Sequence, residues 1–277
     1  MPELPEVETI RRALAPRVEG RCLSGVEILD PRWCLPEAPE PVTAALTGRG
    51  VERLGRRGKY LVWQLEGARA LVMHLRMTGN VLADPPAEPA HVRVRLALDD
   101  GGRVVFDDPR RFGTGHVLDG PARDEYFAAR LGVEPFDSRF TVEHLRTLAR
   151  GCRAPVKAFL LDQKRIAGVG NIYADEALFR ARIHPLRTAG KLTTKQLGAL
   201  RTGVIDALRA GIDARGATID DFRHPDGARG TFQDQFLVHR RAGEPCPECG
   251  HPVRKLVAAG RGTYVCERCQ PRPRVRR

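Results

Sequence analysis

The chain has 277 residues, 42% of them hydrophobic and 29% charged, a balance that excludes a mostly disordered chain and an integral membrane protein. Its 46 basic against 34 acidic side chains leave a net charge of +12, which points to a polyanionic partner, nucleic acid first. Forty of the basic residues are arginine and only six lysine, so each lysine needs its own explanation: an amine can lose its proton and a guanidinium effectively cannot.

The acidic start Met1-Pro2-Glu3-Leu4-Pro5-Glu6 is no signal peptide, and no apolar run approaches the length of a membrane span. The seven cysteines are therefore expected as thiols in a reducing, cytoplasmic setting. Pro5 to Leu14 predicts a helix with Val7, Ile10 and Leu14 on one face. Pro2 follows the initiator methionine, whose removal would leave a secondary amine. Such an amine condenses with an aldehyde only as a cationic iminium, an electron sink suited to attack at a sugar C1′ followed by elimination. Glu3 and Glu6 fall within one turn of it, where carboxylates can move protons; the same residues are also favoured at a helix start for the dipole alone.

Residues 22 to 118 read as strands. In the clearest, alternation places His91, Arg93 and Arg95 on one face and Val92, Val94, Leu96 and Leu98 on the other. After residue 133 the period becomes helical over 142–149, 156–164, 171–181 and 194–210. The Gly168-Val169-Gly170 turn either offers backbone N–H groups to a phosphate or simply joins two helices. Near the C-terminus Cys246-x2-Cys249 and Cys266-x2-Cys269, sixteen residues apart, predict one structural zinc ion with four thiolates and no open position. Residues 236–277 carry ten basic and three acidic side chains, and Arg261 falls near the tip of the expected basic hairpin. The partition is 1–132 as an N-terminal sheet domain, 133–235 helical, 236–271 the zinc finger and 272–277 a basic tail.

Several of these motifs resemble the bacterial formamidopyrimidine-DNA glycosylases of the Fpg/Nei family. They are Pro2 to Thr9, His74-Leu75-Arg76-Met77-Thr78-Gly79, Asp108-Pro109-Arg110-Arg111-Phe112-Gly113, Leu160-Leu161-Asp162-Gln163, Gly170 to Glu176, and the finger ending in Cys269-Gln270. The resemblance implies an α+β multidomain fold: a β-sandwich with an N-terminal helix, a helix–two-turns–helix domain and a zinc-finger hairpin. It implies a monomeric glycosylase and abasic-site lyase that flips oxidised purines out of duplex DNA, bound between its domains, and cuts by β,δ-elimination. Carried over, Pro2 is the nucleophile, Glu3 the acid/base, Glu6 an ordering residue, Lys59 the β-elimination lysine and Arg261 the finger arginine of δ-elimination. Met77, Arg110 and Phe112 would fill the hole left by the flipped nucleotide. Lys157, Asn171, His74, His91 and Arg153 would contact phosphate. Residues 218–232 resemble a loop over the flipped base and take no assigned roles. Open alternatives are an endonuclease VIII-type enzyme for oxidised pyrimidines, a non-enzymatic zinc-finger protein that reads damaged DNA, and an RNA-binding zinc ribbon.

Overall fold

The structure, a computed structural model, describes residues 2–219 and 222–273. They form two compact units, Met1–Ala129 with Ile212–Gln233, and Arg130–Gly211 with Asp234–Arg277. Residues 212–233 thus group with the N-terminal unit, where the sequence partition has them in the helical domain. Residues 274–277 of the basic tail lie outside the described residues.

The first unit opens with helix α1 (Leu4–Val18) and continues through β1 (Leu23–Ile28), α2 (Pro39–Leu46), β2 (Val51–Arg57), β3 (Tyr60–Leu65), β4 (Arg69–His74), β5 (Asn80–Ala83), β6 (Val92–Leu98), β7 (Arg103–Asp107), β8 (Thr114–Asp119) and α3 (Gly120–Ala128). The strands form two four-stranded antiparallel sheets, in the orders β1-β6-β7-β5 and β2-β3-β4-β8. Val94 and Leu96 of β6 meet Leu71 and Met73 of β4, Trp33, Trp63, Phe106, and Val7, Ile10 and Leu14 of α1 in one core. Trp33 packs flat enough on β8 that a Cβ at Gly115 would fall 2.1 Å from its ring. Helix α1 runs one turn past the expected Leu14: Pro16 is tolerated near its end, and Val18 is fully buried in the core. Helix α2 lies where only strands were expected; it is short and buries just Val42 and Leu46, so its period is faint.

The second unit holds α4 (Val142–Ala149), α5 (Val156–Leu161), α6 (Asn171–Arg180), most of α7 (Thr194–Asp213), and a hairpin of β9 (Arg254–Ala258) with β10 (Arg261–Val265). Helix α5 stops three residues before the expected 164, because the Asp162 carboxylate accepts the Lys164 N–H in a turn. Helices α6 and α7 approach closely: a Cβ at Gly203 would lie 2.6 Å from the Ala177 carbonyl oxygen.

Candidate functional site

In the first unit the start of α1 gathers Pro2, Glu3 and Glu6, all buried, Glu3 at 2% and Glu6 at 1% exposure. Glu6 Oε2 accepts the Glu3 backbone N–H at 2.8 Å, the capping arrangement its spacing provides. Its other oxygen accepts the Ala217 N–H at 2.8 Å, across more than two hundred residues of sequence. Gly216, at φ +79°, lets the backbone come that close: a Cβ there would sit 3.0 Å from Glu6 Cγ. One turn on, Glu8 takes Arg11 and Arg12 at 2.7 and 2.8 Å and Arg56 at 3.3 Å. Burial pushes its carboxyl up, but bonds from Arg11 and Arg12 and the charges of Arg11 and Arg56 prevail and hold it at about 2.

Arg56 belongs to β2, so the Glu8 pair ties α1 to the β2–β3 hairpin that carries Lys59. Arg57 pairs with Tyr60, leaving Gly58-Lys59 as a two-residue turn with Gly58 at φ +56°, a conformation that favours glycine. Lys59 is buried, and its charge, after burial and Arg76, helps hold the His74 imidazole down at about 3. His74 is therefore neutral; Nδ1 accepts the Arg76 N–H at 2.9 Å, which leaves Nε2 as its donor.

Met77 and Phe112 are held out in solvent, at 41% and 50% exposure, and so are not core residues. Arg110 stacks its guanidinium 4.8 Å from the Phe112 ring centre. The buried Asp108 organises both loops: Oδ1 accepts from the Thr78 hydroxyl and the Arg110 N–H, Oδ2 from the Phe112 and Gly113 N–H groups. The sequence motif contains Asp108, but its role went unread; an aspartate opening a turn and capping the N–H groups that follow is the signal.

The His91–Leu98 strand shows the expected alternation, yet its basic face is not an open strip. Arg95 is paired with Glu27 and Glu88 at 2.5 and 2.8 Å, and Arg93 donates to the Asp108 carbonyl. His91 remains exposed. The 218–232 segment is anchored by Phe222 in the core, the Arg223 N–H on Asn80 and the Pro225 carbonyl on the Ala83 N–H. Asp220 and Asp221 lie outside the described residues.

In the second unit Arg153 is exposed. Lys157 is fully buried and donates to Asp175 at 2.7 Å, Thr263 Oγ1 at 2.8 Å and the Gly262 carbonyl at 3.2 Å. These bonds tie Lys157 of α5 to α6 and to β10 of the hairpin. Asp175 also binds His239 Nδ1 at 2.9 Å, and Glu176 accepts the Leu237, Val238 and His239 N–H groups, roles the sequence reading did not assign. Asn171, at the first turn of α6, donates to the Gly262 carbonyl at 3.1 Å. The Gly168 N–H goes to Gln163 Oε1, and the glycine turn is buried. Arg261 follows a two-residue turn, Ala259-Gly260, both at positive φ, and is exposed.

The four knuckle cysteines have their sulfurs within 4.8 Å of one another, with Cys246–Cys269 at 3.9 Å and Cys249–Cys266 at 3.5 Å. Zinc–sulfur bonds of about 2.3 Å in a tetrahedron separate the sulfurs by about 3.8 Å, so the residues fit one structural zinc ion.

Residues 1–115 match the formamidopyrimidine-DNA glycosylase N-terminal domain, 131–223 the H2TH domain of the same enzymes, and 243–272 the zinc finger found in FPG and IleRS. A formamidopyrimidine-DNA glycosylase of Symbiobacterium thermophilum is 46% identical over 99% of this chain and 90% of that one; that of Chloroflexus aurantiacus is 43% identical over 98% of each. Among solved structures, MutM of Thermus thermophilus superposes with a TM-score of 0.88 at 42% identity, covering 99% of this chain and all of that one. A Lactococcus lactis FPG mutant in complex with Fapy-dG DNA gives 0.91 at 33% identity, over 98% of this chain and all of that one.

Proposed function

The chain belongs to the formamidopyrimidine-DNA glycosylase family, and on that footing we propose that it excises oxidised purines from duplex DNA and then cleaves the strand from an iminium on Pro2. The observation that carries this reading is the buried helix start in which Pro2 sits beside Glu3 and Glu6, with Glu6 locked to Glu3 and Ala217. Once Met1 is removed, the Pro2 amine lies at the positive end of α1, which favours its neutral, nucleophilic form. It attacks C1′ of the extruded nucleotide as the glycosidic bond breaks and the base leaves with a proton. Glu3 protonates the ring oxygen, the sugar opens, and the iminium forms.

The iminium acidifies C2′; loss of that proton expels the 3′ phosphate, and a second elimination expels the 5′ phosphate. Lys59 serves the first elimination and Arg261 the second. Met77, Arg110 and Phe112, held outside the core, fill the vacated space in the duplex. Exposed His91 and Arg153, the Nε2 of His74 and Asn171 are assigned to phosphate. The zinc ion, held by Cys246, Cys249, Cys266 and Cys269, supplies structure to the finger. We place the protein in the cytoplasm, in keeping with Cys22, Cys34 and Cys152 as free thiols, and we take it as a monomer. The relatives reported above are named for formamidopyrimidine lesions and support the purine reading over the endonuclease VIII one.

The test is borohydride trapping on a duplex with one 8-oxoguanine opposite cytosine. A covalent adduct is expected with the processed protein, and none with Met1 retained. Absence of an adduct on any oxidised or abasic substrate would overturn the reading.

A further inference from the structure

The second unit contains a cavity of about 1210 Å³ that the iminium chemistry does not use. Four of its ten lining residues are cations, Arg182, Arg187, Lys191 and Arg272, and none is acidic. A cleft lined by one sign of charge concentrates a field, here with Arg182, Lys191 and Arg272 exposed at its rim and Arg187 half-buried. Two of the cations have partners outside the lining: Arg182 reaches Glu248 at 3.1 Å and Arg272 reaches Glu267 at 2.5 Å. Arg187 and Lys191 have no ion-pair partner among the described residues, and Arg187 Nε is buried without a hydrogen bond.

A second observation comes from His184, also in the lining and only 1% exposed. Its Nδ1 accepts the Leu186 N–H at 3.2 Å, which leaves the proton on Nε2. That donor is buried with no hydrogen-bond acceptor; the nearest carboxylate oxygen, on Glu267, is 3.9 Å away. A buried donor without an acceptor lowers stability unless something supplies one. Pro271 and Pro273 flank Arg272 and restrict the backbone that forms this wall, so the wall is made by the segment just past the last zinc ligand.

We propose that this cavity is a second anion site that takes a phosphoryl group, with Arg187 and Lys191 as its charged contacts and His184 and Thr188 as neutral donors. Two cations without partners match a doubly charged phosphoryl group; a carboxylate would leave one of them uncompensated. The phosphoryl group comes either from a nucleic-acid strand or from a free phosphorylated compound. The site stands independently of the Pro2 chemistry.

The test uses the zinc-loaded full chain. Pyrophosphate binding, measured by calorimetry, weakens by at least about tenfold in the double variant R187Q/K191Q and stays within about threefold of the parent in R187K/K191R. Zinc content and the borohydride adduct remain at parent level, which separates failure of this site from failure of the glycosylase reading. If the source is a DNA strand, log K for duplex DNA against log salt becomes shallower by about 1.8, two phosphate contacts at about 0.9 each; a free compound leaves that slope unchanged.

A readout without variants is acetylation of Lys191 in the parent, mapped by peptide, which pyrophosphate should slow. Equal pyrophosphate binding by parent and glutamine variant, no binding by the parent, or no protection of Lys191 overturns the proposal. So does tighter binding of a glutamate-rich peptide than of pyrophosphate.

Discussion

Asp108→Asn tests whether the space-filling residues act as a positioned set. The carboxylate is fully buried and serves two pairs of donors, the Thr78 hydroxyl with the Arg110 N–H, and the Phe112 with the Gly113 N–H, the latter at 2.9 and 2.8 Å. An amide retains one oxygen, so one pair would face an NH2 group. Two hydrogen bonds to a charged acceptor contribute about 1.5–3 kcal/mol each. Relaxation of the 109–113 loop recovers part of this, leaving roughly 2–4 kcal/mol against the arrangement that presents Arg110 and Phe112. Because both side chains are already in solvent, the cost falls on the loop and not on the core. If these side chains stabilise the extruded state, excision slows by about 30-fold or more. Single-turnover excision of 8-oxoguanine opposite cytosine is compared with cleavage of a preformed abasic site in the same duplex. The abasic substrate has no base to extract, so its cleavage should stay within about threefold. Equal losses on both substrates, or undiminished excision, would refute the idea that Asp108 acts by positioning the filling residues.

Zinc chelation should abolish DNA binding, because four cysteines and a short hairpin cannot form a core alone; full activity of the metal-free chain would contradict a structural ion. Gly216→Ala should cost about 1–3 kcal/mol, from its φ of +79° and the 3.0 Å approach to Glu6, and lower adduct yield; an unchanged denaturation midpoint would rule this out. Glu8, at about 2 against an ordinary 4.5, and His74, at about 3 against 6.5, both have folded values below their unfolded ones. The unfolded chain therefore binds the extra protons, and stability should be full above pH 6.5, decline as pH falls towards 3, and fall more steeply between 4.5 and 2. Glu8→Gln should remove up to about 3 kcal/mol of that lower-window dependence, checked by urea denaturation across pH.

What the sequence disclosed and what it hid divide along physical lines. The zinc knuckles were legible because ligand spacing is local, and the His91–Leu98 alternation because strand burial has a fixed period of two. Met77, Arg110 and Phe112 were recognisable as a motif, but only the structure shows the two apolar side chains held in solvent. The bracing contacts of Lys157 were not legible because an ion pair with Asp175 and a bond to Thr263, over a hundred residues away, leave no periodic trace. The same holds for Glu6 on Ala217, and for the pairs that neutralise Arg95. Long-range electrostatic partners are specified by the fold, not by the neighbours in sequence.

The bond from Glu6 to Ala217 also has a consequence in time. Pro2 is buried at the start of α1, behind a segment that is translated more than two hundred residues later. At about 5–20 residues per second, the N-terminus is out of the ribosome for roughly 10–40 s before residues 212–233 can close on it. Methionine removal, which would create the proposed nucleophile, has its open interval then. A chain whose 212–233 segment arrived early would bury Pro2 before its peptide bond to Met1 was cut, so the order in which the first unit is assembled favours processing before closure.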